Sequence, residues 1–229
     1  TAAVCKVLWH QSFSAAVREL WCDLLGEAAP GRTASWLAVL VALHDLGKAT
    51  PGFQGQQPTA RQQLAECGLP FPRAASTDHE TLGAVTIAQA LGRSHPSLPA
   101  GAACVLGEAL AHHHGHRRGG MGPGIGPERD LGGPVWGAVR QALVGQLVAD
   151  LGVAGPVPSG LAQPSVVLLA LLGGLVRLCD WLASAAADRG QLPPLPALPR
   201  AAQDGFVARF GFAPNLLQSA AADLGHTPG

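Results

Sequence analysis

Between Val166 and Val176 the chain runs through eleven consecutive apolar residues, with Arg177 and Asp180 close behind. A run of that length is too short to cross a bilayer, which takes about 20 apolar residues. Its leucines and alanines favour helix over strand. The expectation is a helix enclosed on nearly all sides by other helices, where a carboxylate such as Asp180 is costly unless it is paired or holds a metal. The other apolar runs are also built from Ala and Leu more than from Val and Ile, so the whole chain is read as all-α.

At 229 residues the chain suits one large domain. Gly (30) and Pro (19) together imply long loops between the helices. Fifteen basic and 15 acidic residues cancel, so no global field draws in a polyanion, and any such partner must be gripped locally. Five cysteines without a C-x-x-C pair do not suit a disulfide framework and point to a reducing cytoplasm. The start lacks the pattern of a signal peptide, and opening at Thr1 rather than Met suggests that residues precede it. No phosphate loop of the G-x-x-x-x-G-K-[ST] type occurs.

Apolar spacing predicts helices over 14–25, from a cap at Thr33 or Ser35 to Gly47, and over a short stretch near 62–66. Further helices are predicted from a cap at Ser76 or Thr77 onward, over 100–111, over 136–151, and from Ser165 to about Ala187. Gly115 to Pro134 is read as a glycine-rich loop. The proline-rich stretch after Gly190 reads as a linker, so the domain proper is placed at 1–190, with 191–229 beyond it.

Three clusters carry chemistry. In His44-Asp45-Leu46-Gly47-Lys48, neighbouring side chains on a helix diverge by about 100°, so His44 and Asp45 can share a cavity only near a helix end. An aspartate bridges two cations with its two oxygens, and histidine supplies a neutral nitrogen. Lysine occurs only twice in the chain, and Lys48 places a compact cation beside this pair, suited to a phosphate oxygen. The second cluster, His112-His113-His114-Gly115, closes an apolar helix, which is metal-ligand chemistry or a solvated tract. Asp180 is the third, as a metal ligand, a partner of Arg177 or a cap on a neighbouring helix.

Taken in order, these residues resemble the HD nuclease domain of the CRISPR-associated helicase-nuclease of type I systems. The resemblance runs from Trp9-His10 and Ser14-Ala15-Ala16-Val17, through the 44–51 segment, His79-Glu80 and His113-His114-Gly115, to Asp180-Trp181-Leu182-Ala183-Ser184. It implies an HD-domain helical bundle with long Gly/Pro-rich loops. It implies that His10, His44, Asp45 and Asp180 ligate one metal, and that Asp45, His79, His113 and His114 ligate a second. Lys48 is implied to neutralise the scissile phosphate, with Ser184 close to it. Phe13 stands where the family often has an acidic residue, and His112 and His116 have no counterpart. Residues 210–218 are similar to the opening of the family's helicase domain.

The implied activity is cleavage of single-stranded DNA displaced by a guide-RNA-bound CRISPR surveillance complex, with a helicase domain in the same or a separate chain and no membrane involved. A His-rich shell with two carboxylates suits Fe or Mn, with Ni or Co able to substitute, better than Mg. Arg117 and Arg118, beside the His cluster, are candidates to grip the strand backbone. Two alternatives stand beside this reading: an HD-type nucleotide or cyclic-dinucleotide phosphohydrolase, and a non-catalytic helical recruitment module.

Overall fold

The computed structural model describes residues 1–72, 79–113 and 128–188. Among them the chain is helical and contains no strand. In order the elements are α1 (Ala2–Val7), a π-helical turn (Leu8–Ser12), α2 (Ala15–Leu25), α3 (Pro30–Leu43), a 3-10 turn (Leu46–Lys48), α4 (Pro51–Gln54) and α5 (Pro58–Glu66). There follow α6 (His79–Ser94), α7 (Ala100–Ala111), α8 (Glu128–Leu131), α9 (Gly133–Asp150), α10 (Ser159–Ala162) and α11 (Val166–Asp188). The all-α expectation holds. The linker 191–229, the caps at Ser76 and Thr77 and most of the glycine-rich loop lie outside the described residues.

The helix enclosed on nearly all sides is α3, not α11. Every residue from Trp36 to Val41 is buried, and α1, α2, α7, α9 and α11 all pack against this helix. With α3 at the centre, α11 occupies an edge. Leu168, Leu172, Leu175, Val176, Cys179 and Ala183 face inward, while Val167, Leu171, Leu178, Trp181 and Leu182 are exposed. The apolar stretch is also longer than the unbroken run suggests. Val166–Ala185 spans 20 residues at mean hydropathy 2.0, long and apolar enough by length and composition to cross a membrane, yet 33% of it is buried inside the bundle. Arg177 and Asp180 lie within the helix and do not end it.

Several boundaries follow local chemistry that the apolar pattern does not reveal. Ser14, the first residue of the expected 14–25 helix, is its cap, its Oγ accepting from the Val17 N–H at 3.3 Å. The start of α3 falls at Pro30, ahead of the expected caps, because proline suits the first helical position. Thr33 is instead inside the bundle, its hydroxyl directed at Cys22 Sγ at 3.4 Å. Residues 128–131 and 133–134, expected in the loop, form α8 and the first residues of α9.

Helices α6 and α7 make the most extensive pairing in the bundle. Gly107 permits it: a Cβ there would stand 2.3 Å from the Ala84 carbonyl oxygen. This pairing presents the first residue of α6 and the last turn of α7 to the end of α3, where the candidate ligands collect.

Candidate metal centre

Helix α3 stops at Leu43, short of the expected Gly47, and His44 and Asp45 leave it in the turn that follows. Gly47 has a different function from the helix terminator expected of it. It lies in the 3-10 turn, where a Cβ would meet the His79 carbonyl oxygen at 2.0 Å and the Gly83 nitrogen at 2.5 Å. Only glycine lets this turn lie directly on the start of α6. The turn is pinned further by Thr50 Oγ1 donating to the Gly47 carbonyl (2.8 Å) and Gln54 Nε2 donating to the Lys48 carbonyl (2.8 Å). The buried Arg140 of α9 donates to the Ala49 carbonyl at 3.1 Å.

Asp45 divides its carboxylate between two groups. Oδ2 lies 3.2 Å from His44 Nε2 and 2.8 Å from Lys48 Nζ. Oδ1 lies 3.7 Å from both His79 Nε2 and His113 Nε2. From α11, Asp180 Oδ1 reaches His44 Nε2 at 3.5 Å. The rings of His44 and His113 meet edge to face with centroids 4.6 Å apart. Asp180 therefore faces His44 rather than pairing with Arg177.

Two of the histidines are set in the tautomer a metal needs. A carbonyl oxygen only accepts, so Nδ1 of His44 donates to the Val41 carbonyl (2.8 Å) and Nδ1 of His113 to the Ala111 carbonyl (2.9 Å). Each neutral ring is left with its lone pair on Nε2, the atom turned to Asp45. Ligand atoms of His44, Asp45 and His113 lie within 4.8 Å of one another. His44 Nε2 and Asp45 Oδ1 are buried without a well-aligned hydrogen bond among the described residues. Buried polar atoms normally find a partner, and atoms left without one that converge on one space are the donor set a cation satisfies. The residues fit a divalent metal.

Among these side chains the electrostatics compensate internally. Burial pulls the His44 imidazole down, but the charges of Asp45 and Asp180 outweigh it and raise its pKa to about 9. Burial pushes the Asp45 carboxyl up, and His44 with Lys48 overcomes this to hold it well below the usual carboxylate range. The ring of His44 likewise lowers Asp180, against burial and the Asp45 charge.

The remaining expected residues sit less centrally or out of view. His10 is exposed in the π-helical turn, and among the described residues its side chain makes no hydrogen bond, ion pair or ring contact. Ser184 is exposed one turn beyond Asp180 on α11. His114, Arg117 and Arg118 lie outside the described residues. His112 turns to its own helix, its Nδ1 against the Glu108 carbonyl at 2.8 Å. Phe53, which packs edge-on to His79 (5.5 Å), and Arg177, which binds the main chain at His113, were not read as part of the site. For Phe53 the sequence holds no signal, whereas Arg177 stands out as a cation in an apolar helix.

A helical bundle, strandless among the described residues, that gathers histidines around an aspartate at a helix end is the architecture of an HD-type, metal-dependent hydrolase domain. The family model described as "Cas3, HD domain" matches residues 1–188, and the chain belongs to that family. It is 31% identical over 179 residues to the CRISPR-associated endonuclease/helicase Cas3 of Thermus thermophilus, covering 73% of this chain and 18% of that protein. A crystal structure of a CRISPR-associated protein superposes with a TM-score of 0.70 at 24% identity, over 100% of this chain and 25% of the other. The Thermus thermophilus Cas3 HD domain, crystallised in the presence of Ni2+, gives a TM-score of 0.58 at 25% identity, over 98% of this chain and 80% of the other. The chain thus spans under a fifth of the curated relative it matches.

Proposed function

We propose that this domain hydrolyses phosphodiester bonds of single-stranded DNA with the aid of two divalent metal ions that Asp45 would help to hold. The observation that carries the reading is the division of the Asp45 carboxylate, one oxygen toward His44 and the other toward His79 and His113. Each oxygen has its own set of nitrogen donors, as a bridging carboxylate requires. His44, Asp180 and, by the family resemblance, His10 would hold one ion. His79, His113 and, by the same resemblance, His114 would hold the other.

Bound metals supply an activated water at neutral pH and charge stabilisation of an in-line displacement. The protein's own contribution is orientation. The Val41 and Ala111 carbonyls fix the ring tautomers, and the packed turn at 46–48 fixes Asp45. Lys48, held beside Asp45, is placed to neutralise a phosphate oxygen, and Ser184 lies one turn from Asp180. Arg117 and Arg118 grip the strand backbone in this reading. The nitrogen-rich donor set favours Fe or Mn, with Ni or Co as substitutes. The Thermus thermophilus domain crystallised with Ni2+ supports a divalent transition metal. The proposed setting is the cytoplasm, with residues 191–229 leading to a helicase domain and a guide-RNA-bound CRISPR surveillance complex delivering the strand. The endonuclease/helicase name of the Thermus relative supports the helicase association.

The test is incubation of the purified chain with Mn2+ and either circular single-stranded DNA or a panel of nucleotides and cyclic dinucleotides. Nicking of the circle, abolished in Asp45→Ala, is expected. Cleavage of nucleotides alone would make the domain a nucleotide phosphohydrolase. DNA cleavage undiminished in Asp45→Ala, or no metal bound after anaerobic loading with iron, would leave only a recruitment role.

A further inference from the structure

Helix α7 ends at Ala111, and His113 follows in the turn, so its main chain lacks the regular hydrogen bonding that holds residues inside a helix. Two contacts replace that support. Inside the turn, the His113 ring donates from Nδ1 to the Ala111 carbonyl at 2.9 Å. From α11, Arg177 donates its Nε–H to the His113 carbonyl oxygen, also at 2.9 Å. Arg177 is half-buried, and its guanidinium makes no other hydrogen bond or ion pair among the described residues. It precedes Asp180 by three residues, and side chains at that spacing share a face of a helix.

We infer that Arg177 is a positioning residue of the metal centre, a backbone clamp that fixes His113 relative to Asp180. The inference rests on the two-metal reading proposed above. One helix then carries both a carboxylate of the first half-site and the clamp on a nitrogen ligand of the second. A displacement of α11 moves the two together, and the distance between the half-sites is held by one rigid element. The donor matters more than the charge. Nε is the nitrogen engaged, and it sits on the side-chain stem at the place where glutamine carries its amide nitrogen.

That coincidence supplies the test. Arg177→Gln keeps an N–H at the same number of bonds from the backbone and removes the charge. Arg177→Met keeps a stem of similar length and removes the donor. The 229-residue chain, stripped of metal, is titrated with Co2+, and binding is followed by the visible absorption of the bound ion. Thermal melting of the metal-free proteins runs alongside. Wild-type protein is expected to bind two ions. In R177M the affinity for one of them falls by about 10- to 100-fold, the usual effect of removing a group that orients a ligand. R177Q stays within a few-fold of wild type, and the two metal-free variants melt together. A clamp that served stability alone would shift melting in R177M and leave its cobalt spectrum and affinities unchanged.

Wild-type affinities in R177M would overturn the inference, as would R177Q binding as weakly as R177M. Wild-type protein that bound no cobalt would overturn the two-metal reading and this inference with it, a result separable from the other two. If R177M does not fold, R177K takes its place. It keeps the charge and moves the donor one bond outward, and a fall in affinity for one ion is again expected, while unchanged binding would overturn the clamp.

Discussion

Lys48 Nζ lies 2.8 Å from Asp45 Oδ2, the same carboxylate oxygen that faces His44. The ammonium therefore draws on the same carboxylate oxygen that a bound cation would, and the two compete for it. Lys48→Met is expected to raise affinity for Mn2+ several-fold, since the displaced charge is gone. The same variant is expected to lose DNA cleavage by about 100-fold, the scale of losing one preorganised group on a reacting oxyanion. Isothermal titration and a nicking assay read the two effects. Weaker metal binding in K48M would show that the lysine supports Asp45 rather than opposing the metal.

The shifted groups set a pH dependence of opposite sign with and without metal. His44, raised to about 9 in the folded chain from an ordinary 6.5, stabilises the metal-free protein fully below about 6.5 and progressively less as pH rises toward 9. Asp45 and Asp180, both depressed, contribute above the ordinary carboxylate value of 3.8, and that contribution fades as pH falls through their folded values. Melting in EDTA should be highest between about pH 4 and 6.5 and decline toward pH 9. A metal needs His44 neutral, so binding at pH 7 to 8 releases a proton and tightens with rising pH. Calorimetry in buffers of different ionisation enthalpy measures that proton, and its absence would show that His44 is already neutral.

Much of the fold was legible because helix pattern is local. The limits of α7 agree with the apolar spacing, and α2, expected over 14–25, runs from Ala15 to Leu25. What was not legible was rank within the bundle. Val166–Val176 looks more apolar than Trp36–Val41, yet α3 is the enclosed helix, because burial is decided by which neighbours arrive and not by composition alone. The site divides the same way. His44, Asp45 and Lys48 are adjacent and formed a readable motif. His79 and Asp180 come from α6 and α11 and His113 from the turn after α7, and only the ordered family resemblance joined them to it. Spacing says nothing about a hydrogen bond between Arg177 and the His113 carbonyl, or about Phe53 against His79.

The edge position of α11 makes its two faces unequal. Leu172 is fully buried, and Leu172→Ala should destabilise the chain by about 2–5 kcal/mol through lost transfer energy and the cavity left behind. Trp181 is larger but 63% exposed, and Trp181→Ala should stay within about 0.5 kcal/mol of wild type. Urea unfolding of the two variants distinguishes this from a helix buried all round, for which the tryptophan would be the more damaging loss.

Gly47 is a residue at which the smallest change should harm the metal centre. A methyl group there would press on the His79 carbonyl oxygen and on the Gly83 main chain, all backbone that no side-chain rotation can move aside. Relief requires the 46–48 turn and the start of α6 to separate. Overpacking of this kind costs about 1–3 kcal/mol. Separation also carries His79 away from Asp45 Oδ1, now 3.7 Å distant, while leaving the contact of His44 with Asp180 across the other half of the centre. Gly47→Ala should therefore melt lower and lose affinity at the half-site of His79 and His113 before the other. Cobalt titration of G47A beside His79→Ala tests this, because the two should weaken the same ion. Equal weakening of both ions in G47A would place the damage in Asp45 itself, and unchanged binding would show that α6 yields without moving the ligand.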